Sequence, residues 1–197
     1  MGNRLISHPT LNTCTFESNE GVGMYNDSCI STLEDCKFVS NTSTSVYGAS
    51  AMFNTYSTIS LENCEFTSNT GCAIENTNTN STLNECTIED NTAASGRGGA
   101  MHNSGFNHTL TGCTFKGNTV ENAFNQSGAI YNAANCVVII SESTICENTF
   151  PQILGPWLDA GENCIFETCT DTDGDGTHDC LDPCISDPLD DIDGDGI

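Results

Sequence analysis

One pattern runs six times through the chain and limits what it can fold into. It reads aliphatic residue, two residues, Cys-x-Phe, two residues, Asn. The copies start at Leu11, Leu33, Leu61, Leu83, Leu110 and Ile140. The third is Leu61…Cys64-Glu65-Phe66…Asn69, and the last, Ile140…Ser143-Thr144-Ile145…Asn148, has serine in place of the cysteine. The leading Leu or Ile returns after 22, 28, 22, 27 and 30 residues, a period that belongs to solenoids, propellers and arrays. A second run alternates with the first: Gly23-Met24-Tyr25-Asn26, Ala51-Met52-Phe53-Asn54, Ala73-Ile74-Glu75-Asn76, Ala100-Met101-His102-Asn103 and Ala129-Ile130-Tyr131-Asn132.

Parity shows how one unit bends. Residues i and i+2 of a strand share a face, so Cys64 and Phe66 point inward while Glu65 points out. Leu61 precedes Cys64 by three, so it cannot face inward from the same straight strand. A corner falls between them, and the same argument puts another between Phe66 and Asn69. Each unit therefore predicts three short strands. β-Branched residues, Asn, Ser and Gly dominate and no 3.6-residue stripe is sustained, which argues against helix. Three short strands per turn, with like residues stacked, describe an all-β, right-handed, single-stranded parallel β-helix of about six coils, spaced ~4.8 Å apart. Leu, Met/Ile, Cys and Phe form four inward columns. Asn suits the corners because it tolerates left-handed backbone and its amide can bond backbone or another Asn.

The alternation of G-A-I-Y-N with C-T-F-x-x-N resembles the repeats of polymorphic outer-membrane proteins and related parallel β-helix surface proteins, over about residues 10–148. That resemblance implies an exported, adhesin-like or passenger-like protein of the cell surface. The same fold also resembles pectate lyases and polygalacturonases, so the alternative is a fragment of a carbohydrate-active enzyme acting on polysaccharide.

The chain has 197 residues, enough for one domain and an appendage. The coils occupy 1–148. Residues 149–170, apolar and turn-rich and holding the lone Trp157, are expected to cover the last coil. Residues 171–197 are a separate acidic tail. Four basic residues face 27 acidic ones, a formal net charge of −23. Such a field excludes nucleic acid as a partner and attracts cations. Surface glycans or proteins remain as partners. The longest apolar stretch, Cys136 to Ile140, is far too short to cross a membrane. Residues 1–9 lack the apolar core of a signal peptide, so the chain is expected to be a fragment of a longer exported protein.

Thirteen cysteines fall into two groups. Cys14, Cys36, Cys64, Cys86 and Cys113 share one column of the repeat and are expected to be buried thiols acting as small apolar residues. Cys29, Cys72, Cys136, Cys146, Cys164, Cys169, Cys180 and Cys184 are the disulfide candidates.

The tail carries ten aspartates between Asp171 and Asp195. Asp171, Asp173 and Asp175 stand at positions 1, 3 and 5 of a calcium loop, with Gly176 at the sharp turn. The Thr177 carbonyl, Asp179 and Asp182 follow at 7, 9 and 12. Asp191, Asp193 and Asp195 begin a second copy. With Cys180 and Cys184, this tail resembles thrombospondin type 3 repeats, which implies bound Ca²⁺. No other cofactor is expected, and no catalytic residue. A lyase needs a basic residue at the cleaved sugar and a glycosidase needs two flanking carboxylates. Arg4, Lys37, Arg97 and Lys116 are scattered, and Glu65, Glu89 and Asp90 form no pair. His102 stands in the aromatic column and reads as an outward, solvated ring, while His8, His108 and His178 are isolated. Thr15, Thr87, Thr114 and Thr144 form an outward row that Lys37 and Glu65 interrupt, which argues against a flat ice-binding array.

Overall fold

The computed structural model describes residues 2–4, 7–43, 48–93, 98–121, 126–149, 151–170 and 172. Among these residues there is no helix. Short strands stack into three seven-stranded parallel sheets that wrap one core. In the third rung they are Ala49–Thr55, Thr58–Glu62 and Glu65–Thr67, one for each sheet. Every rung adds one strand to each sheet, in register with the rungs before and after. Among the described residues each sheet has seven strands, six from the coils of the repeat and one from the segment that follows them. Ile153–Leu154, Trp157–Asp159 and Cys164–Ile165 continue the three sheets, and Trp157, Ile153 and Ile165 pack on the core. The segment covers the sixth rung by imitating it in abbreviated form.

The corners fall where parity places them, and a left-handed residue makes each one. Between the second and third sheets it is Thr13, Asp35, Asn63, Glu85, Gly112 and Glu142 in successive rungs. Between the third and first it is Ser18, Ser40, Ser68, Asp90, Gly117 and Glu147. At this second corner the turning residue is the one before the repeat Asn. The stacked Asn is spared the left-handed role and acts through its side chain. Asn63 and Asn78 do take left-handed backbone, at the other two corners.

Inside, the four columns form as expected. Leu33, Leu61, Leu83, Leu110 and Ile140 stack, as do Met24, Met52, Ile74, Met101 and Ile130, all buried. The rings of Phe16, Phe38 and Phe66 lie nearly parallel, with centroids 4.6 and 4.7 Å apart. Gly99 and Gly128 precede the alanines of their units because the rungs touch there. A Cβ on Gly99 would meet the carbonyl of Gly128, and one on Gly128 would meet the backbone of Thr149.

Two ladders of buried asparagine amides run the length of the rod. In one, Asn41, Asn69, Asn91 and Asn118 each donate Nδ2 to Oδ1 of the next Asn, at 3.0, 2.8, 2.9 and 2.8 Å, ending on Asn148. Each of these amides also donates to a carbonyl one rung back, as Asn69 does to Phe38 at 2.9 Å. Gln152 carries this ladder into the seventh rung, accepting from Asn148 and donating to the Phe166 carbonyl, both at 2.7 Å. The other ladder runs Asn26, Asn54, Asn76, Asn103, Asn132, with bonds of 2.8–2.9 Å. A net contribution of about 0.5–1.5 kcal/mol per bond, repeated at every rung, adds to apolar burial.

Phe66 is fully buried and stacked, so Phe66→Ala is expected to cost about 3–5 kcal/mol of unfolding free energy. On the same strand Glu65 faces out and meets Lys37 Nζ at 2.7 Å, with both side chains about half exposed. Glu65→Ala should therefore cost under about 1 kcal/mol. Denaturant melts of the two variants check the inward and outward assignment; equal losses would overturn it.

Candidate binding face and buried polar groups

The first sheet carries the most distinctive outward row. Tyr25 pairs with Phe53, Phe53 with Glu75, Glu75 with His102 and His102 with Tyr131, rung by rung. All are half-buried. The Tyr25 and Phe53 rings stand 5.4 Å apart, and His102 meets Tyr131 edge-on at 5.3 Å. His102 Nδ1 lies 3.9 Å from Glu75 Oε1, with only 21% and 13% of the two side chains exposed. His102 is outward as expected, but it is not a freely solvated ring. Its neighbours in the row press on it because strand stacking leaves one rung spacing between side chains. Asp27, Thr55, Thr77 and Ser104 form the adjacent outward row of this sheet.

Three connections that vary between units, 43–48, 93–98 and 120–127, follow the repeat Asn and leave from the corner next to this face. Thr92–Ala93 pairs with Thr119–Val120, and Gly98 bridges to Ser127, so the feet of two connections stack on each other. Ser43 donates its N–H to the Thr70 carbonyl at the same corner. The tips, 44–47, 94–97 and 122–125, lie outside the described residues.

The second sheet carries a row that motif reading overlooked. Thr10, Thr32, Ser60, Thr82 and Thr109 are exposed and in register. The signal was present in the sequence, because each directly precedes the repeat Leu. On the third sheet the row Thr15, Lys37, Glu65, Thr87, Thr114, Thr144 is outward as read. Neither lysine stands alone. Lys37 pairs with Glu65, and Lys116 Nζ lies 3.7 Å from Glu147.

The calcium positions Asp171, Asp173, Asp175, Thr177, Asp179, Asp182, Asp191, Asp193 and Asp195 lie outside the described residues, as do Cys180, Cys184 and His178. Among the described cysteines, Cys146 and Cys169 are joined and Cys164 is disulfide-bonded as well. Cys29, Cys72 and Cys136, expected as disulfide partners, are instead free and buried. Each bonds polar atoms of its own corner: Cys29 lies beside Ser31 and Ser57, Cys72 donates to the Ile74 carbonyl, and Cys136 donates to the Ala133 carbonyl. None has a second cysteine at the stacked position of the next rung.

The repeat column of thiols is free as expected, buried at Cys36, Cys64, Cys86 and Cys113 and partly exposed at Cys14. The neighbouring thiols of Cys113 and Cys64, and after them burial, push the Cys86 thiol above its ordinary value.

His108 is the buried polar group that sequence reasoning missed. It occupies an inward slot of the second sheet, in a column with Ser81 and Val138. Its Nδ1 lies 2.7 Å from Ser81 Oγ, and Nε2 has no hydrogen-bond partner among the described residues. Burial pushes its pKa down to about 4, so the folded protein holds a neutral imidazole. Below the ordinary value of 6.5 the unfolded chain takes up a proton that the folded chain refuses. This group's share of stability therefore falls as pH drops from about 6.5 to about 4, by roughly 3 kcal/mol in all. His108→Val, which copies Val138 in the next rung, is expected to remove that acid sensitivity. The difference between the two proteins' unfolding free energies at pH 7 and pH 4.5 measures it; an unchanged difference would contradict the assignment.

Comparison with known proteins agrees with the sheets. A family model described as a right handed beta helix region matches residues 4–92, the first four rungs. No curated protein and no solved structure matches the chain. Sheet topology and family match together make this chain a right-handed parallel β-helix.

Proposed function

We propose that this is a non-catalytic β-helix of the cell surface or extracellular space, adhesin-like or passenger-like, that binds a surface glycan along its first sheet and takes up calcium at its acidic end. The observation that carries the reading is the outward row Tyr25, Phe53, Glu75, His102, Tyr131, which follows the rod axis beside the corner of the variable connections. Aromatic faces stack on the apolar faces of sugar rings, and a regular row suits an extended chain. Loops on a rigid scaffold are where recognition concentrates. The resemblance of the repeats to polymorphic outer-membrane proteins points the same way.

One observation favours a second reading, a carbohydrate-active enzyme. Glu75 and His102 are neighbours on that row, an acid beside a group able to carry a proton. A glycosidase also needs a second carboxylate across the scissile bond. Glu75 is the one carboxylate of the row, and Asp27 of the adjacent row stands two rungs away. The binding reading is therefore preferred.

Glycan-array binding followed by titration tests it. Phe53→Ala and Tyr131→Ala are each expected to weaken binding roughly tenfold, about 1.4 kcal/mol, with no cleavage of the bound polysaccharide. Turnover that Glu75→Gln abolishes would replace this reading with the enzymatic one, and retention of a protein ligand alone would change the partner class.

Calcium is expected at Asp171, Asp173, Asp175, Asp179, Asp182 and the Thr177 carbonyl, with the smaller set Asp191, Asp193, Asp195 weaker. Extracellular modules of this kind bind at roughly 10⁻⁴–10⁻³ M. Calorimetry should show uptake in that range that Asp175→Ala removes. Absence of heat at millimolar calcium would remove the calcium part of the proposal.

A further inference from the structure

At the corner between the first and second sheets, two aromatic residues stand where the repeat does not call for them. The turning residues there are Ser28, Tyr56, Asn78 and Gly105 in successive rungs, all left-handed. Ser28, Tyr56 and Asn78 give their N–H groups to Thr55, Thr77 and Ser104 of the next rung. Tyr56 thus makes the same backbone bond as its neighbours. Gly and Asn take left-handed backbone readily, whereas a bulky aromatic there is strained. Tyr56 is also 66% exposed, so burial offsets little of that strain.

Phe106 departs further from the repeat. It precedes Leu110 by four residues, the slot that Cys29, Ser57, Thr79 and Cys136 fill in other rungs, all of them buried. Phe106 pairs with Cys136 in register. Yet it is left-handed, directly after left-handed Gly105, and 55% exposed. A small side chain suffices for this slot elsewhere, and here the slot holds an exposed aromatic instead. Strain kept at two exposed rings points to function rather than folding.

A cleft of about 210 Å³ opens beside Tyr56, lined by His8, Ser28, Cys29, Ile30, Tyr56 and Thr58. Ile30 is 48% exposed. An aromatic and an aliphatic side chain bordered by two hydroxyls and an imidazole suit a sugar ring, which has apolar C–H faces and a polar rim. Tyr56 and Phe106 lie two rungs apart, ~9.6 Å along the rod, a reach of about two sugar residues in an extended chain. Both lysines stand on the third sheet and the formal charge is −23, which favours a neutral chain over an acidic one.

We propose that this corner is a second glycan-binding track, taking an extended neutral polysaccharide with one ring on Tyr56 at the cleft and another on Phe106. It shares its ligand class with the glycan reading of the first sheet and none of its residues.

Calorimetry of the whole chain with soluble neutral β-glucan, xylan and mannan tests it, with polygalacturonate as the acidic control. Tyr56→Ser, which copies Ser28, and Phe106→Asn, which suits left-handed backbone, should each weaken binding of a neutral chain about tenfold. The double variant Phe53→Ala with Tyr131→Ala should leave that binding in place. Denaturant melts separate recognition from folding: Tyr56→Ser should be at least as stable as the wild type. Binding lost with the first-sheet pair but kept with both corner variants would overturn the track and leave the first-sheet reading standing. Binding lost only with the corner variants supports the track and removes the first-sheet site. Retention of a protein ligand with no neutral polysaccharide bound, or a Tyr56→Ser chain that binds normally but melts earlier, would overturn the track.

Discussion

A buried carboxamide has to be bonded on both sides, and the rod is built around that demand. Each Asn of the corner ladder gives its N–H to the next Asn and to a carbonyl one rung back, while its oxygen receives from the Asn before it. An unbonded buried amide would cost about 1–3 kcal/mol. One rung therefore cannot shift against the next without leaving polar groups stranded along the core. A one-residue slip of a strand would also turn every inward side chain to solvent. The amide ladders and the apolar columns specify the same register, and neither could do so as firmly alone. Gln152 shows how strictly the demand is met: where the repeat fades, a different amide takes the next place on the ladder.

Stacking has a second consequence, because it places like side chains one rung apart on the outside as well. For aromatic rings this creates two stacked pairs, Tyr25 with Phe53 and His102 with Tyr131, on either side of Glu75. For carboxylates it creates repulsion, as where Glu34 stacks on Glu62, and elsewhere neutral or basic neighbours relieve it. Glu65 lies above Lys37 and Glu147 near Lys116. Asn84 donates to Glu62 one rung away, at 2.8 Å. The formal charge of −23 is thereby managed along the coils while ten aspartates gather beyond residue 170. Inside, the same one-rung spacing aligns five thiols.

His108 shows where pattern reading stopped. Its slot precedes Leu110 by two, the same face of the same strand, so parity alone marks it as inward. The polar residue type pointed outward and hid that signal. Cys29, Cys72 and Cys136 were misread for a related reason. High cysteine content suggested disulfides, whereas pairing needs two sulfurs at adjacent rungs, and their stacked neighbours are other residues. The left-handed corner residue was misplaced by one position because Asn is the familiar occupant of that backbone region. Here Ser, Asp and Glu also take it, one after another, held by bonds from each corner N–H to the rung beside it.

What the sequence determined by itself was the unit and its bends. A strand has a period of two, so an odd spacing between inward residues forces a corner wherever it occurs. Recurrence of the unit then forces stacking, since a single unit cannot bury its own apolar face. The three-sheet rod, the inward columns and the asparagine stacks all follow from that local arithmetic. Tertiary structure alone decided what stacking does to each group. It made His108 a neutral buried base, set Glu75 against His102, paired the lysines with glutamates and made the strands between Ile153 and Ile165 a further rung. These outcomes depend on which residue lies one rung away, 20 to 33 positions distant in the chain, and on how much water the neighbouring rungs exclude. Spacing within one unit carries no record of either.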